Sequence, residues 1–130
     1  MLTSAYSEAT TAKISVITGN AIAGAYIAFV SSAATPDMVY AWSDSVIGSL
    51  EPMTAVQLLY KSRLEAGEDR KALEAEYAND VCSPFNAAAA GLITDVIEAG
   101  DTANKISSAL DVLSSKRVST LSKKHTNIPL

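Results

Sequence analysis

The residues of this chain best placed for chemistry lie in Gly19-Asn20-Ala21-Ile22-Ala23-Gly24-Ala25-Tyr26-Ile27-Ala28-Phe29, and the chemistry would belong to the backbone. The segment follows a β-branched run from Lys13 to Thr18 and opens a helix of small and apolar residues. A strand that turns through small residues into a helix leaves amide N–H groups without intrahelical acceptors. Two such donors side by side can hold a developing oxyanion or another negatively charged group. No strong acid, base or nucleophile lies within the segment, and Gly24 stands at its centre.

Other candidate side chains are few. A single cysteine and a single histidine exclude an internal disulfide and a His/Cys metal cluster, and lone-cysteine usage is that of a cytoplasmic chain. Cys82, beside Val81 and ahead of Ser83-Pro84, reads as a small buried hydrophobe. The alternative is a reactive thiol, because helix N-termini depress thiol pKa values. His125 sits in a polar tail and reads as a structural tie. Tyr26 reads as a pocket wall or core residue rather than an acid or base. The net charge of −4 and the lack of a long basic block argue against nucleic acid as a partner. The longest nearly apolar run, Ala21 to Val30, is far short of the ~20 residues that span a bilayer. No basic segment followed by an apolar run marks a secretory signal at Met1.

The elements that must position the turn follow from periodicity and punctuation. Leu2 to Ala12 has Ala5, Tyr6 and Ala9 on one side and reads as a helix; Lys13 to Thr18 reads as a strand. Ala23 to Ser32 reads as a close-packing helix broken at Thr35-Pro36-Asp37. Met38 to Trp42 and Ser45 to Gly48 read as strands around Ser43-Asp44. Pro52 opens a helix running to Arg63, with Val56, Leu59 and Tyr60 inward. Glu68 to Tyr77 is a charged helix with Arg70 and Glu74 four apart. Ser83-Pro84 starts a short helix through Ala90 that Gly91 ends. Leu92 to Ile97 reads as the last strand. Asp101 or Thr102 caps a final helix with Ala103, Ile106, Leu110 and Leu113 on one face. At 130 residues and 48% hydrophobic content, strands alternating with helices indicate one α/β unit with parallel or mixed pairing.

Several pieces, in order, resemble the C-terminal part of the biotin-dependent acyl-CoA carboxyltransferases. They are the strand-turn-helix from Lys13 to Phe29, the segment Asp37-Met38-Val39-Tyr40-Ala41-Trp42, and the terminal Lys123-Lys124-His125-Thr126-Asn127-Ile128-Pro129-Leu130. Ala5-Tyr6-Ser7-Glu8-Ala9-Thr10, Leu92-Ile93-Thr94-Asp95-Val96-Ile97 and Ser115-Lys116-Arg117 agree with the same family, which includes propionyl-CoA carboxylase β subunits and methylmalonyl-CoA decarboxylase α subunits. The resemblance covers essentially the whole chain but only the end of a family member.

What the resemblance implies is a partial crotonase-like spiral of strands and helices over 1–116, with an extended basic tail over 117–130. The C-terminal domain of the family receives carboxybiotin, and its Gly-Gly-Ala-Tyr turn offers backbone N–H groups to the biotin ureido oxygen. Here the turn is Ala23-Gly24-Ala25-Tyr26, so the donors are the N–H groups of Gly24 and Ala25, with Ala23, Tyr26 and Ile27 around the substrate. Ala23 replaces the family's first glycine, and a positive φ there would strain it. At the Ile27 position some members carry Asp and the position is associated with choice of acyl group; an ordinary core isoleucine is the other reading. Two departures stand out: Leu50-Glu51-Pro52-Met53-Thr54 replaces Met-Gly-Pro-Glu-Gly, and Ser43 replaces the proline after Trp42.

The implied partners are an acyl-CoA, a biotin carboxyl carrier protein, the missing N-terminal carboxyltransferase domain and further copies of the chain in a trimer or hexamer; no metal is implied. The resemblance fits a carboxylase component or an α-subunit piece of a decarboxylase that feeds a membrane sodium pump. A non-catalytic remnant that keeps only an assembly surface is the third reading. Alone, the chain is expected to assemble but not to turn over.

Overall fold

The computed structural model describes residues 5–6, 9–30 and 36–118. In chain order its elements are β1 (Ile14–Ile17), β2 (Asn20–Ile22), α1 (Gly24–Phe29), β3 (Met38–Trp42), β4 (Val46–Gly48), α2 (Pro52–Leu59), α3 (Lys61–Glu65), α4 (Arg70–Asp80), α5 (Pro84–Ala89), β5 (Asp95–Ile97) and α6 (Thr102–Leu113). Side-chain alternation along β3 organises the packing. Val39 and Ala41 are buried with Ile17, Ala21, Val30 and Ile47 on one face. Tyr40 is buried with Ile97 and Ala109 on the other, with Ile14, Val16 and Trp42 packed around them. A strand buried on both faces belongs in a parallel sheet covered on both sides. β3 accordingly lies between β1 and β5, and both pairings are parallel, with Val16 opposite Tyr40 and Trp42 opposite Ile97.

A second, two-stranded parallel sheet pairs β2 with β4, placing Asn20 opposite Val46 and Ile22 opposite Gly48. A further core lies beside it, where Ala55 and Val56 of α2 meet Leu73 and Tyr77 of α4 and the thiol-bearing Cys82. Cys82 is fully buried, and burial pushes its thiol up, although a hydrogen bond with Tyr77 works the other way. The buried-hydrophobe reading therefore holds and the reactive-thiol reading does not.

The punctuation residues act as expected. Pro52 and Pro84 sit in the first turns of α2 and α5, and Gly91 takes the left-handed conformation, φ +72°, just past α5. Arg70 and Glu74 pair at 2.8 Å. Other expectations need correction. The helix from Pro52 to Arg63 breaks at Tyr60 (φ −110°, ψ 23°), whose ring packs edge-on against Tyr77 and beneath the Arg63 guanidinium. Leu59, the last residue before the break, is 60% exposed rather than inward.

The buried face of α6 carries Ala109, flanked by Ile106 and Leu113, while Ala103 and Leu110 are exposed. Of the two expected caps, Asp101 takes the N-cap position but makes no side-chain cap hydrogen bond, and Thr102 is already helical. The Thr102 hydroxyl instead accepts from Trp42 Nε1 at 3.0 Å and donates to the Ala99 carbonyl at 2.9 Å, which fixes the rotation of the helix against β3. The ladder of β5 starts only at Asp95. The helix expected over Leu2 to Ala12 is described only at Ala5 and Tyr6, and Ala9 to Ala12 are not helical. His125 and the tail from 119 lie outside the described residues, as does the end of the helix expected to reach Ser32.

One ionic contact ties distant segments together. Asp37 Oδ2 accepts from the Lys13 backbone N–H at 2.7 Å and from Lys116 Nζ at 2.7 Å, and the same ammonium donates to the Thr11 carbonyl at 3.1 Å. The contact joins the start of β1, the start of β3 and the segment after α6.

Candidate active site

β2 ends at Ile22, Ala23 turns the chain, and α1 starts at Gly24. The turn is held at both ends. The Ala23 N–H donates to the Gly48 carbonyl at 3.0 Å, and the Ala23 carbonyl accepts from the Ile27 N–H at 3.0 Å. Between these two bonds the amides of Gly24 and Ala25 find no acceptor among the described residues. Ala23, Gly24 and Ala25 are all exposed.

Gly24 has no positive φ, and a Cβ built on it would meet nothing within 4 Å. Its lack of a side chain therefore serves neither a special backbone conformation nor close helix–strand packing. The space at its Cβ position is open. Beside Ala25 and Phe29 a groove of about 490 Å³ runs along β1 to Thr18, Gly19 and Asn20.

Ala23 is the strained residue of the turn. At φ 51°, ψ −113° it is the only non-glycine residue with positive φ among those described. That conformation is open to glycine and costs an alanine ~1–3 kcal/mol. Replacing Ala23 with Gly is expected to raise stability by about 1 kcal/mol, the strain relieved less the added chain entropy of glycine. Chemical denaturation checks this: a higher midpoint at unchanged slope is the expected result.

The other two residues singled out in the sequence part company. Tyr26 is half-buried and packs against the core of Ile17, Ala21 and Val30. Ile27 points away from that core and is 56% exposed, so the core reading of Ile27 is corrected. Gly48, the acceptor that anchors the turn, has no signal in the sequence. Only the parallel pairing of β2 with β4 brings it beside Ala23, and no local pattern marks that pairing. Among the described residues no group of three or more His, Cys, Asp or Glu could hold a metal, and no helix is long and apolar enough to cross a membrane.

The whole-chain comparisons bear on this geometry. Residues 1–128 match the family model described as the carboxyl transferase domain. The chain belongs to the carboxyl transferase domain family. It is 44% identical over 130 residues to the propionyl-CoA carboxylase carboxyltransferase subunit of Haloferax mediterranei, with 97% of this chain and 25% of that one aligned. It is 41% identical over 126 residues to the methylmalonyl-CoA decarboxylase subunit alpha of Veillonella parvula, covering 97% of this chain and 24% of the other. Among solved structures, transcarboxylase 12S superposes with a TM-score of 0.88 at 36% identity, over 99% of this chain and 26% of that one. The β subunit of P. aeruginosa geranyl-CoA carboxylase shares the fold, with a TM-score of 0.70 at 14% identity over 98% of this chain and 26% of the other. The architecture is thus the crotonase-like α/β fold of carboxyl transferase domains, in part. The chain spans about a quarter of the length of these relatives.

Proposed function

We propose that this segment is the biotin-receiving part of a carboxyltransferase that moves a carboxyl group between biotin and a short acyl-CoA. The observation that carries the reading is the pair of adjacent, exposed amides at Gly24 and Ala25 in a chain of this family. Both N–H groups would donate to the ureido oxygen, and Ala23, Tyr26 and Ile27 would surround it. The fit is chemical: an oxygen that gains negative charge suits unpaired N–H donors, and the open space over Gly24 admits its approach. When bound, biotin supplies or takes up the carboxyl group.

The chain's own contribution is preorganisation. Ala23, held by Gly48 on one side and Ile27 on the other, fixes both donors before any ligand arrives. Donors already aimed at a developing charge do not have to reorganise during reaction. Tyr26 supports the turn from the core, and Ile27 offers an apolar wall.

An acyl-CoA, a biotin carrier protein and the remaining three-quarters of the carboxyltransferase are the proposed partners. The similarity to a propionyl-CoA carboxylase and a methylmalonyl-CoA decarboxylase favours a short acyl chain, and the proposed site serves transfer in either direction. Assembly with further copies is part of the proposal. Leu58 and Leu59 of α2, Phe85 of α5 and Val112 of α6 expose apolar area that a partner surface would cover, and transcarboxylase 12S assembles as a hexamer.

A full-length carboxyltransferase built to include this segment is expected to exchange labelled carboxyl between methylmalonyl-CoA and biotin. A folded, assembled protein with no exchange would overturn the reading. In the same assay, Ile27→Asp is expected to change the ratio of kcat/KM between acetyl-, propionyl- and butyryl-CoA by ~10-fold or more. An unchanged ratio would remove Ile27 from the acyl wall.

A further inference from the structure

We infer that Gly48 and Cys82 are a matched pair that sets the position of the turn, making Gly48 a positioning residue for the proposed oxyanion site. Gly48 lacks positive φ, so backbone freedom does not explain it. Space does. A Cβ at Gly48 would lie 2.7 Å from Cys82 Sγ, a distance that real side chains do not tolerate.

Nor is the sulfur an easily moved group. Cys82 is fully buried in the cluster of Ala55, Val56, Leu73 and Tyr77. Cores of this density pass a clash on to their neighbours. The neighbour that gives is β4.

Two backbone hydrogen bonds connect β4 to what lies on either side. On the core side, the Ile47 N–H donates to the Cys82 carbonyl at 2.8 Å. On the site side, the Gly48 carbonyl accepts the Ala23 N–H at 3.0 Å. Cys82 thus holds the strand with its carbonyl and fills with its sulfur the volume that a side chain at position 48 would need. The far end of the same residue, the Gly48 carbonyl, holds a strained alanine in place. A conformation as costly as that of Ala23 persists only while its surroundings dictate it. Moving the Gly48 carbonyl by a few tenths of an ångström therefore redirects the amides of Gly24 and Ala25 or releases them.

The inference rests on the turn being the oxyanion-binding element, but its test needs no biotin. Amide exchange at Ala23 and the amide resonances of Gly24 and Ala25 are compared in the 130-residue chain and in Gly48→Ala, Cys82→Ala and the double variant. Gly48→Ala is expected to speed Ala23 exchange by about tenfold or more and to shift both resonances. In the double variant the nearest atoms to the new Cβ become the Leu50 carbonyl at 3.5 Å and the Cβ of residue 82 at 3.7 Å, both ordinary contacts. Exchange and resonances should therefore return to within about twofold of the starting chain. If Gly48→Ala does not fold, a folded double variant with the original turn still supports the pairing.

Unchanged Ala23 exchange in Gly48→Ala, or a double variant as perturbed as the single one or unfolded, would overturn it. Failure of the biotin assignment would leave these readouts as predicted. Failure of the pairing would leave the biotin assignment untouched.

Discussion

Replacing Ala25 with proline, in a full-length carboxyltransferase built to include this segment, is expected to slow carboxyl transfer by about 10²–10³-fold while the protein stays folded. Proline removes one of the two proposed donors and nothing else that the fold uses, because the Ala25 N–H has no acceptor among the described residues. Position 25 lies in the first turn of α1, where the fixed φ of proline suits the helix. The residue before it is Gly24, whose missing Cβ eases the clash that proline imposes on its predecessor. The loss should fall on kcat rather than on KM for acyl-CoA, since the donor acts on charge that develops during transfer. Steady-state kinetics and a thermal melt on the same sample check both halves. A folded variant that loses less than about threefold would place the stabilising donors elsewhere.

Asp37→Ala is expected to destabilise the chain by about 2–4 kcal/mol, measured by urea unfolding at pH 7. The carboxylate is only 19% exposed and its partner Lys116 18%, so removing it leaves a largely enclosed ammonium without its carboxylate and takes this acceptor from the Lys13 amide. Burial by itself would raise the Asp37 carboxyl. The Lys116 hydrogen bond, the Lys13 amide and the charges of both lysines outweigh burial and hold it below its ordinary value of 3.8. A lowered folded-state pKa means that the stabilisation is complete above the unfolded value and is lost as pH falls through the folded one. The unfolding free energy should therefore drop as pH falls below about 5 with a component that Asp37→Asn lacks. Parallel pH profiles for the two proteins would show that Asp37 is not held ionised by this contact.

The site was more legible in the sequence than its supports. A strand running through small residues into a helix is a local pattern, and the helix does start at Gly24 with Gly24 and Ala25 exposed. β3 also emerges with its boundaries intact, because a five-residue apolar run containing the strand formers Val39, Tyr40 and Trp42 stands between Asp37 and Ser43. Long-range contacts decide the rest. Tyr60 interrupts a helix that its own propensity would continue, because its ring packs between Tyr77 and Arg63. Trp42 fixes the rotation of α6 through Thr102, and the buried face shifts from Leu110 to Ala109. Thr94 exchanges hydrogen bonds with Val39, its N–H donating at 2.8 Å and its hydroxyl accepting at 3.0 Å, just before the ladder of β5 begins. Gly48 looks like any strand glycine until Cys82, far along the chain, is seen to fill its side-chain space.

The decisive measurement is a crystal structure of a full-length carboxyltransferase that includes this segment, with biotin bound. The ureido oxygen is expected about 2.7–3.1 Å from both the Gly24 and the Ala25 nitrogens, with Ala23 still hydrogen-bonded to the Gly48 carbonyl. Biotin bound with its ureido oxygen on other donors, and the amides of Gly24 and Ala25 facing a different group or solvent, would contradict the biotin assignment.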